Sequence, residues 1–434
     1  MNMVLPWYSQ VWDISSTNMN VLIIGSGGRC HTIAWKIRQS SLLDKLYVAP
    51  GNAGMEDIAE CVNISVTDND ALVDFALKNN IGLTIVGPEA ALMNGIVDKF
   101  NEAGLKIFGP NKSAAIIEGS KEFAKDLMKK YDIPTATYEV FDNYDDAIKY
   151  LDKVGAPIVV KYDGLAAGKG VVVAKTYDEA KEALVDMLKD HKYGHDRVVM
   201  EEYLEGPEFS LMAFVNNDKV YPLDIAQDHK RAYDNDLGPN TGGMGAYSPV
   251  PFIPNEMVQF AITNIMEKTA KALVSENRPF VGVLYGGLML TKNGVKVIEF
   301  NARFGDPETE VVLPRLKNDL LEVILSVIMG KNINLEFIDD CCLGVVMASK
   351  GYPDSYEKGY EIKGINENAF HMGTKKIDDK LLTNGGRVLF VIGKGKTMKD
   401  AQKDAYNNVS NISCENLFYR KDIGYQVIKY EENK

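Results

Sequence analysis

Over its first quarter the chain repeats one pattern: a short apolar run closed by glycine, then an amphipathic stretch. "NVLIIGSGGRCHTIAWKIRQS" reads as a buried strand, a glycine-rich turn and a helix. The runs at 45–51, 83–89 and 105–110 read as further strands, and 70–80 as a helix. Strand–helix alternation with glycine at strand ends predicts a parallel, doubly wound domain over about 19–118. Such sheets bind ligands beyond the carboxyl ends of their strands.

The pattern then changes. "SKEFAKDLMKKYDIPTATYEVF" predicts a helix stopped by Pro134, then a strand. "PIVVKYDGLAAGKGVVVAK" predicts two short strands around a loop, followed by a helix at 177–190 and a strand at 197–206. The runs at 209–218 and 281–305 predict a mostly antiparallel sheet, with a hairpin turn at "KNG" (292–294). From about 341 a third α+β unit begins. The fold class is therefore multidomain α/β and α+β. The expected divisions are 1–18, an N-terminal extension; 19–118; 119–340, with a small subdomain at about 134–205; and 341–434.

Composition narrows the picture. A chain of 434 residues with 46% hydrophobic and 25% charged residues is ordinary for a globular protein of about three domains. A net charge of −12 argues against broad nucleic-acid binding, so anionic ligands must meet local basic groups. The five cysteines form no CxxC or metal-ligand spacing, which fits a reduced, cytoplasmic protein. No apolar run is long enough for a membrane helix. Residues 1–18 do not read as a signal peptide; they read as a dispensable extension or as an oligomer contact through Trp7, Tyr8 and Trp12.

Two glycine loops carry candidate chemistry. Gly25, Gly27 and Gly28 lie between a strand and a helix, where backbone N–H groups bind anions; a phosphate monoester and a ligand-free tight turn are both open. A dinucleotide site is disfavoured, because Cys30 takes the third glycine position and the second strand ends in Ala49-Pro50-Gly51. The second loop, "DGLAAGKGV", is not a Walker loop: its spacing is short and Gly170 stands where a hydroxyl is required. It reads either as a surface hairpin or as a flap over a triphosphate, with Lys161 on the strand beneath it.

"VKVIEFNARFGDPETE" is more specific. Strict alternation puts Val295, Val297, Glu299, Asn301 and Arg303 on one face and Lys296, Ile298, Phe300 and Ala302 on the other. Side chains on one face stand about 7 Å apart. Glu299 and Asn301 offer hard oxygens that suit Mg²⁺, and Arg303 an anion partner; the plainer alternative is a solvent-facing polar strand.

Together with "VAPGNAG", "TIVGPEA", "EGSK", "EEYLEG", "DHKR", "GPNTGGMGAYSP" and "NGGRVL", these motifs resemble the ATP-grasp superfamily, and within it the glycinamide ribonucleotide synthetase family. The resemblance implies a pre-ATP-grasp N-terminal domain, a two-part ATP grasp and a C-terminal domain. It implies that Lys121 and Lys161 meet ATP phosphates and that Gly164, Gly168, Lys169 and Gly170 belong to the flap. Glu201, Glu202, Tyr203 and Leu204 would form the adenine hinge, Glu208 would hold the ribose, and Glu299 and Asn301 would hold Mg²⁺ or Mn²⁺. Asp228, Lys230, Arg231, Asn240, Gly242, Gly243, Arg303 and Asp306 would line the acceptor and acyl-phosphate region. Gly25, Gly27, Gly28, Lys375 and Arg387 would serve the acceptor phosphate.

The family's usual "GGREHA" is "GGRCHT" here, so a polar contact through position 30 is expected to be lost. The strand before Glu299, "YGGLML", carries no second metal carboxylate. The implied reaction joins glycine to 5-phosphoribosylamine through glycyl phosphate, consuming ATP, in a cytoplasmic monomer or weak homo-oligomer with no nucleic-acid or membrane partner. Another ATP-grasp carboxylate–amine ligase or carboxylase acting on a purine precursor is the alternative.

Overall fold

The computed structural model describes residues 18–166 and 168–434. The contact considered through Trp7, Tyr8 and Trp12 lies outside these residues.

The N-terminal alternation folds as its pattern predicts. Strands β1 (Met19–Gly25), β2 (Leu43–Pro50), β3 (Glu60–Cys61), β4 (Ile81–Val86) and β5 (Ile107–Phe108) form a parallel sheet in the order β3-β2-β1-β4-β5. Val21, Leu22, Ile23 and Ile24 on the central strand are fully buried, as a strand covered on both faces requires. The turn after β1 opens the helix Gly28–Ile37. Cys30 on that helix packs into the core rather than toward a ligand. A Cβ at Gly25 or at Gly87 would lie 2.3 Å from its sulfur. Burial pushes its thiol up to about 11. Position 30 thus faces inward here and contributes no polar group to the loop.

The next unit is a four-stranded antiparallel sheet of β6 (Tyr138–Phe141), β7 (Ile158–Tyr162), β8 (Val171–Ala174) and β9 (Val198–Glu202), in the order β6-β9-β7-β8. The glycine-rich loop joins β7 to β8. A second antiparallel sheet contains Glu208–Asn216, Lys219–Pro222, Val281–Thr291 and Gly294–Asn301. The two sheets face one cleft.

A third sheet draws on distant segments. Gln227–Asp228 and Gly245–Ser248 join Cys341–Ser349, Arg387–Gly395 and Ala369–His371. The loop between the first two, which holds Asn240 to Gly243, is thereby fixed against the C-terminal strands. Gly243 has φ +118°, and a Cβ there would stand 2.6 Å from Pro307, so this close approach requires glycine. Among the described residues no helix is long and apolar enough to cross a membrane.

The strand Gly294–Asn301 departs from strict alternation. Gly287 pairs with Glu299 but Leu288 pairs with Val297, so Ile298 is an extra residue, a β-bulge. Val295 and Val297 therefore share one core with Phe300 and Ala302. Ile298, Glu299, Asn301 and Arg303 line the cleft. The predicted grouping of the valines with Glu299 is wrong, because one inserted residue reverses the alternation after it.

Candidate active site

Two connected cavities form the cleft. One, of about 350 Å³, is lined by Lys121, Lys161, Gly164, Gly168, Gly170, Asp228, Lys230, Asn240, Gly242, Glu299, Asn301, Arg303, Asp306 and Arg387, among others. The second, of about 790 Å³, has an apolar slot of Val159, Val171, Val173, Leu204, Met289 and Ile298. Glu202, Tyr203, Glu208 and Arg231 border it as well. Lys161, Glu201, Asp228, Lys230, Asn240 and Ile298 border both.

Helix and flap are tied together at the base. The helix Lys121–Lys130 starts at Ser120, whose hydroxyl accepts from Phe123 N. The Asp163 carboxylate accepts from Lys121 N at 2.6 Å and Glu122 N at 3.2 Å. Lys121 Nζ donates to Gly164 O at 3.0 Å. Asp163, at the first turn of the flap, thus joins the flap to a helix N-terminus. The Lys169 side chain is exposed and borders neither cavity.

Lys161 is held rigidly. Its Nζ lies 3.0 Å from Glu201 Oε2 and donates to Ile298 O at 3.0 Å. Lys125 meets the same carboxylate oxygen at 3.2 Å and also bonds Thr135. Burial lowers the Lys125 ammonium to about 8, against the pull of Glu201. The Glu201 side chain therefore serves the lysines. Its backbone lies between β6 and β7, paired with Tyr138 and Val159.

Glu299 stands among cations. Burial would raise its carboxyl, but Lys230, Lys161, Lys121 and Arg303 together lower it. Lys230 pairs with Glu208 at 2.8 Å. Burial would lower Lys230, yet Glu208 and Asp228 raise it well above the usual lysine value. Desolvation raises the Asp228 carboxyl, against Lys230. A carboxylate and an amide oxygen suit a hard cation that takes its other ligands from phosphates and water. Among the described residues no cluster of three histidine, cysteine or acidic side chains offers a protein-only cage. The position opposite Glu299 is Gly287, where a Cβ would sit 3.2 Å from Glu299 Cγ.

Arg303 is not a free anion partner. It pairs with Glu118 at 3.0 Å and Glu89 at 3.2 Å, and Glu89 also meets Arg29 at 3.4 Å. Burial would raise the Glu89 carboxyl, but the two guanidiniums hold it down at about 2. Arg387 donates to Gly242 O at 2.8 Å and pairs with Asp306 at 3.2 Å. The first glycine loop closes this end: a Cβ at Gly27 would be 3.5 Å from Asp306 Oδ2, and one at Gly28 would be 2.6 Å from Glu310. Gly25 lies at the root of the same loop. Arg231 instead donates to Gly238 O at 2.6 Å. Lys375 lies on the hairpin strand Thr374–Ile377 and borders neither cavity.

Lys125, Asp163, Glu89 and Glu118 are the site residues that sequence reasoning missed. The spacing of Glu118 to Lys121 within "EGSK" was visible, but nothing local pairs these acids with their distant partners.

A glycine-rich flap on one antiparallel sheet, closing toward a second sheet that carries Glu299 and Asn301, defines the ATP-grasp class. The chain belongs to the phosphoribosylglycinamide synthetase family: the family's N domain matches 19–118, its ATP-grasp (A) domain 119–309 and its C domain 342–426. It is 58% identical over 417 residues to a phosphoribosylamine–glycine ligase of Halalkalibacterium halodurans, covering 94% of this chain and 97% of that protein. A Streptococcus pneumoniae protein of the same name is 51% identical, with 95% and 100% covered. The crystal structure of the Thermotoga maritima phosphoribosylamine–glycine ligase superposes with a TM-score of 0.83 at 35% identity, covering 93% of this chain and 100% of that one. A biotin carboxylase domain from Hydrogenobacter thermophilus, in complex with ADP, shares the fold at 15% identity and a TM-score of 0.71, covering 93% of this chain and 92% of that one.

Proposed function

We propose that this protein ligates glycine to 5-phosphoribosylamine with ATP, giving glycinamide ribonucleotide, ADP and phosphate in purine biosynthesis. The observation that carries this reading is the set of cations around Glu299, where the apolar slot meets the polar cavity. The slot takes the adenine ring between valines and Met289, and Glu208 faces the ribose. Lys121 and Lys161 meet the phosphates, and the flap from Gly164 to Gly170 closes over them.

Glu299 and Asn301 would hold Mg²⁺ or Mn²⁺, which supplies charge neutralisation at the phosphate oxygens. A glycine carboxylate oxygen attacks the γ-phosphorus, and the bond to the ADP oxygen breaks. Lys161 and Lys230 offset the negative charge that gathers there. The closed flap keeps water from the acyl phosphate. The amine of phosphoribosylamine then attacks the glycyl carbonyl, and phosphate departs with a glycine oxygen. Asp228, with its raised affinity for a proton, accepts the proton lost by the amine. The acceptor lies toward Gly25 to Gly28, Asp306 and Arg387. With free thiols and no disulfide, the enzyme suits the cytoplasm.

The test uses glycine labelled with ¹⁸O in its carboxylate. The label should appear in the released phosphate; unlabelled phosphate would exclude the acyl-phosphate route.

A further inference from the structure

Glu118 grips three consecutive residues at the end of the carboxylate strand. The strand Gly294–Asn301 ends at Asn301, which leaves Ala302 N outside its ladder. Glu118 Oε2 accepts from Ala302 N at 2.7 Å. Glu118 Oε1 lies 3.0 Å from Arg303 Nη2. The same oxygen stands 3.2 Å from the Asn301 side-chain amide, whose neighbour on that side is Phe300 O, also at 3.2 Å. Both neighbours are acceptors, so the amide nitrogen belongs there and the oxygen at the other end. The Glu118 side chain is only 7% exposed, and it comes from a separate helix, Lys112–Gly119.

We propose that Glu118 is a positioning residue for the divalent cation, setting the Asn301 amide so that its oxygen, not its nitrogen, is presented to the metal. This rests on the reading of Glu299 and Asn301 as the metal ligands. An asparagine needs such a partner, because its two ends are nearly equal in shape and opposite in polarity. An acceptor facing the nitrogen selects the productive orientation, and Glu118 Oε1 is the side-chain acceptor beside the backbone Phe300 O. Groups that orient metal ligands from behind are worth about 10–100-fold in metal affinity.

Glu118→Gln separates this role from a merely structural one. The glutamine oxygen keeps the bond from Ala302 N, and its NH₂ then faces Asn301. Asn301 is then offered a donor by the glutamine against the acceptor Phe300 O, and turning its oxygen to that donor presents nitrogen to the cation. In Glu118→Gln/Asn301→Asp, one aspartate oxygen accepts from the glutamine and the other faces the metal. The measurement is Mn²⁺ binding to the enzyme–ADP complex by electron paramagnetic resonance, with ADP binding in excess EDTA as a second readout. Glu118→Gln should weaken Mn²⁺ by about 10–100-fold, leave metal-free ADP binding unchanged, and be largely restored by the double variant. Wild-type Mn²⁺ affinity in Glu118→Gln, alongside a loss in Glu299→Ala, would overturn the role of Glu118 and leave the metal assignment standing. A parallel loss of metal-free ADP binding, or no recovery in the double variant, would reduce Glu118 to a structural part. Unchanged Mn²⁺ affinity in Glu299→Ala would overturn the metal assignment and this proposal with it.

Discussion

Lys161 and Glu201 form a buried ion pair of 3.0 Å at the floor of the cleft, each side chain at most 5% exposed. Lys125 shares the same oxygen, so one carboxylate compensates two ammoniums. Removing one partner of a buried pair is costly, because the other charge stays behind. Glu201→Gln should lower the unfolding free energy by about 3–5 kcal/mol. Lys125→Met should cost under about half of that, since Lys161 still meets Glu201. Urea denaturation of both variants checks the ranking; equal losses would contradict it.

Asp163 couples the flap to the helix that carries Lys121. Asp163→Ala leaves Ser120 in place but removes the acceptor of Lys121 N and Glu122 N, and should cost about 1–2 kcal/mol of stability. It should also loosen the flap, raising KM for ATP roughly tenfold, the equivalent of about 1.4 kcal/mol. Steady-state kinetics on a folded variant measures this, and an unchanged KM would separate the helix N-terminus from the flap.

Gly243 has no room for a side chain and a φ that other residues rarely adopt. Gly243→Ala should strain the loop by about 1–3 kcal/mol. That displacement should lower kcat/KM for phosphoribosylamine about 10–100-fold, with ATP binding kept. Nucleotide binding and turnover measured on the same preparation decide this.

His31 and His371 meet where the N-terminal and C-terminal units touch, with His31 Nδ1 accepting from His371 N at 2.8 Å. Burial lowers them to about 3 and about 4 respectively. Below their ordinary value of 6.5 the unfolded chain takes up protons that the folded state refuses. Stability should therefore fall as pH drops from about 6.5 toward 4. His31→Asn keeps an acceptor without the titration and should flatten this slope. Thermal melts across that range check it, and an unaltered slope would contradict it.

The outline of the fold was legible because its signals are local. Apolar runs ending in glycine marked β1, β2 and β4, and "KNG" marked the Lys292–Asn293 turn. The cleft itself was legible because strand alternation paired Glu299 with Asn301 and the family resemblance joined Lys121 and Lys161 to them. What escaped depends on partners far apart in sequence. The bulge at Ile298 is set by pairing with Gly287 and Leu288, so alternation alone misassigned the valines. Arg303 looked free because Glu89 and Glu118 are distant in sequence. The Glu201 carboxylate gave no sign of its two lysines because Lys125 and Lys161 lie on other elements.

Release of ADP coupled to glycinamide ribonucleotide formation is what this reaction must show. Phosphoribosylamine generated in place, glycine, ATP and Mg²⁺ should together give ADP, with glycinamide ribonucleotide in equal amount by mass spectrometry. Omission of either glycine or the amine should remove the product. Product formed without glycine, or turnover with a different carboxylate in its place, would contradict the account.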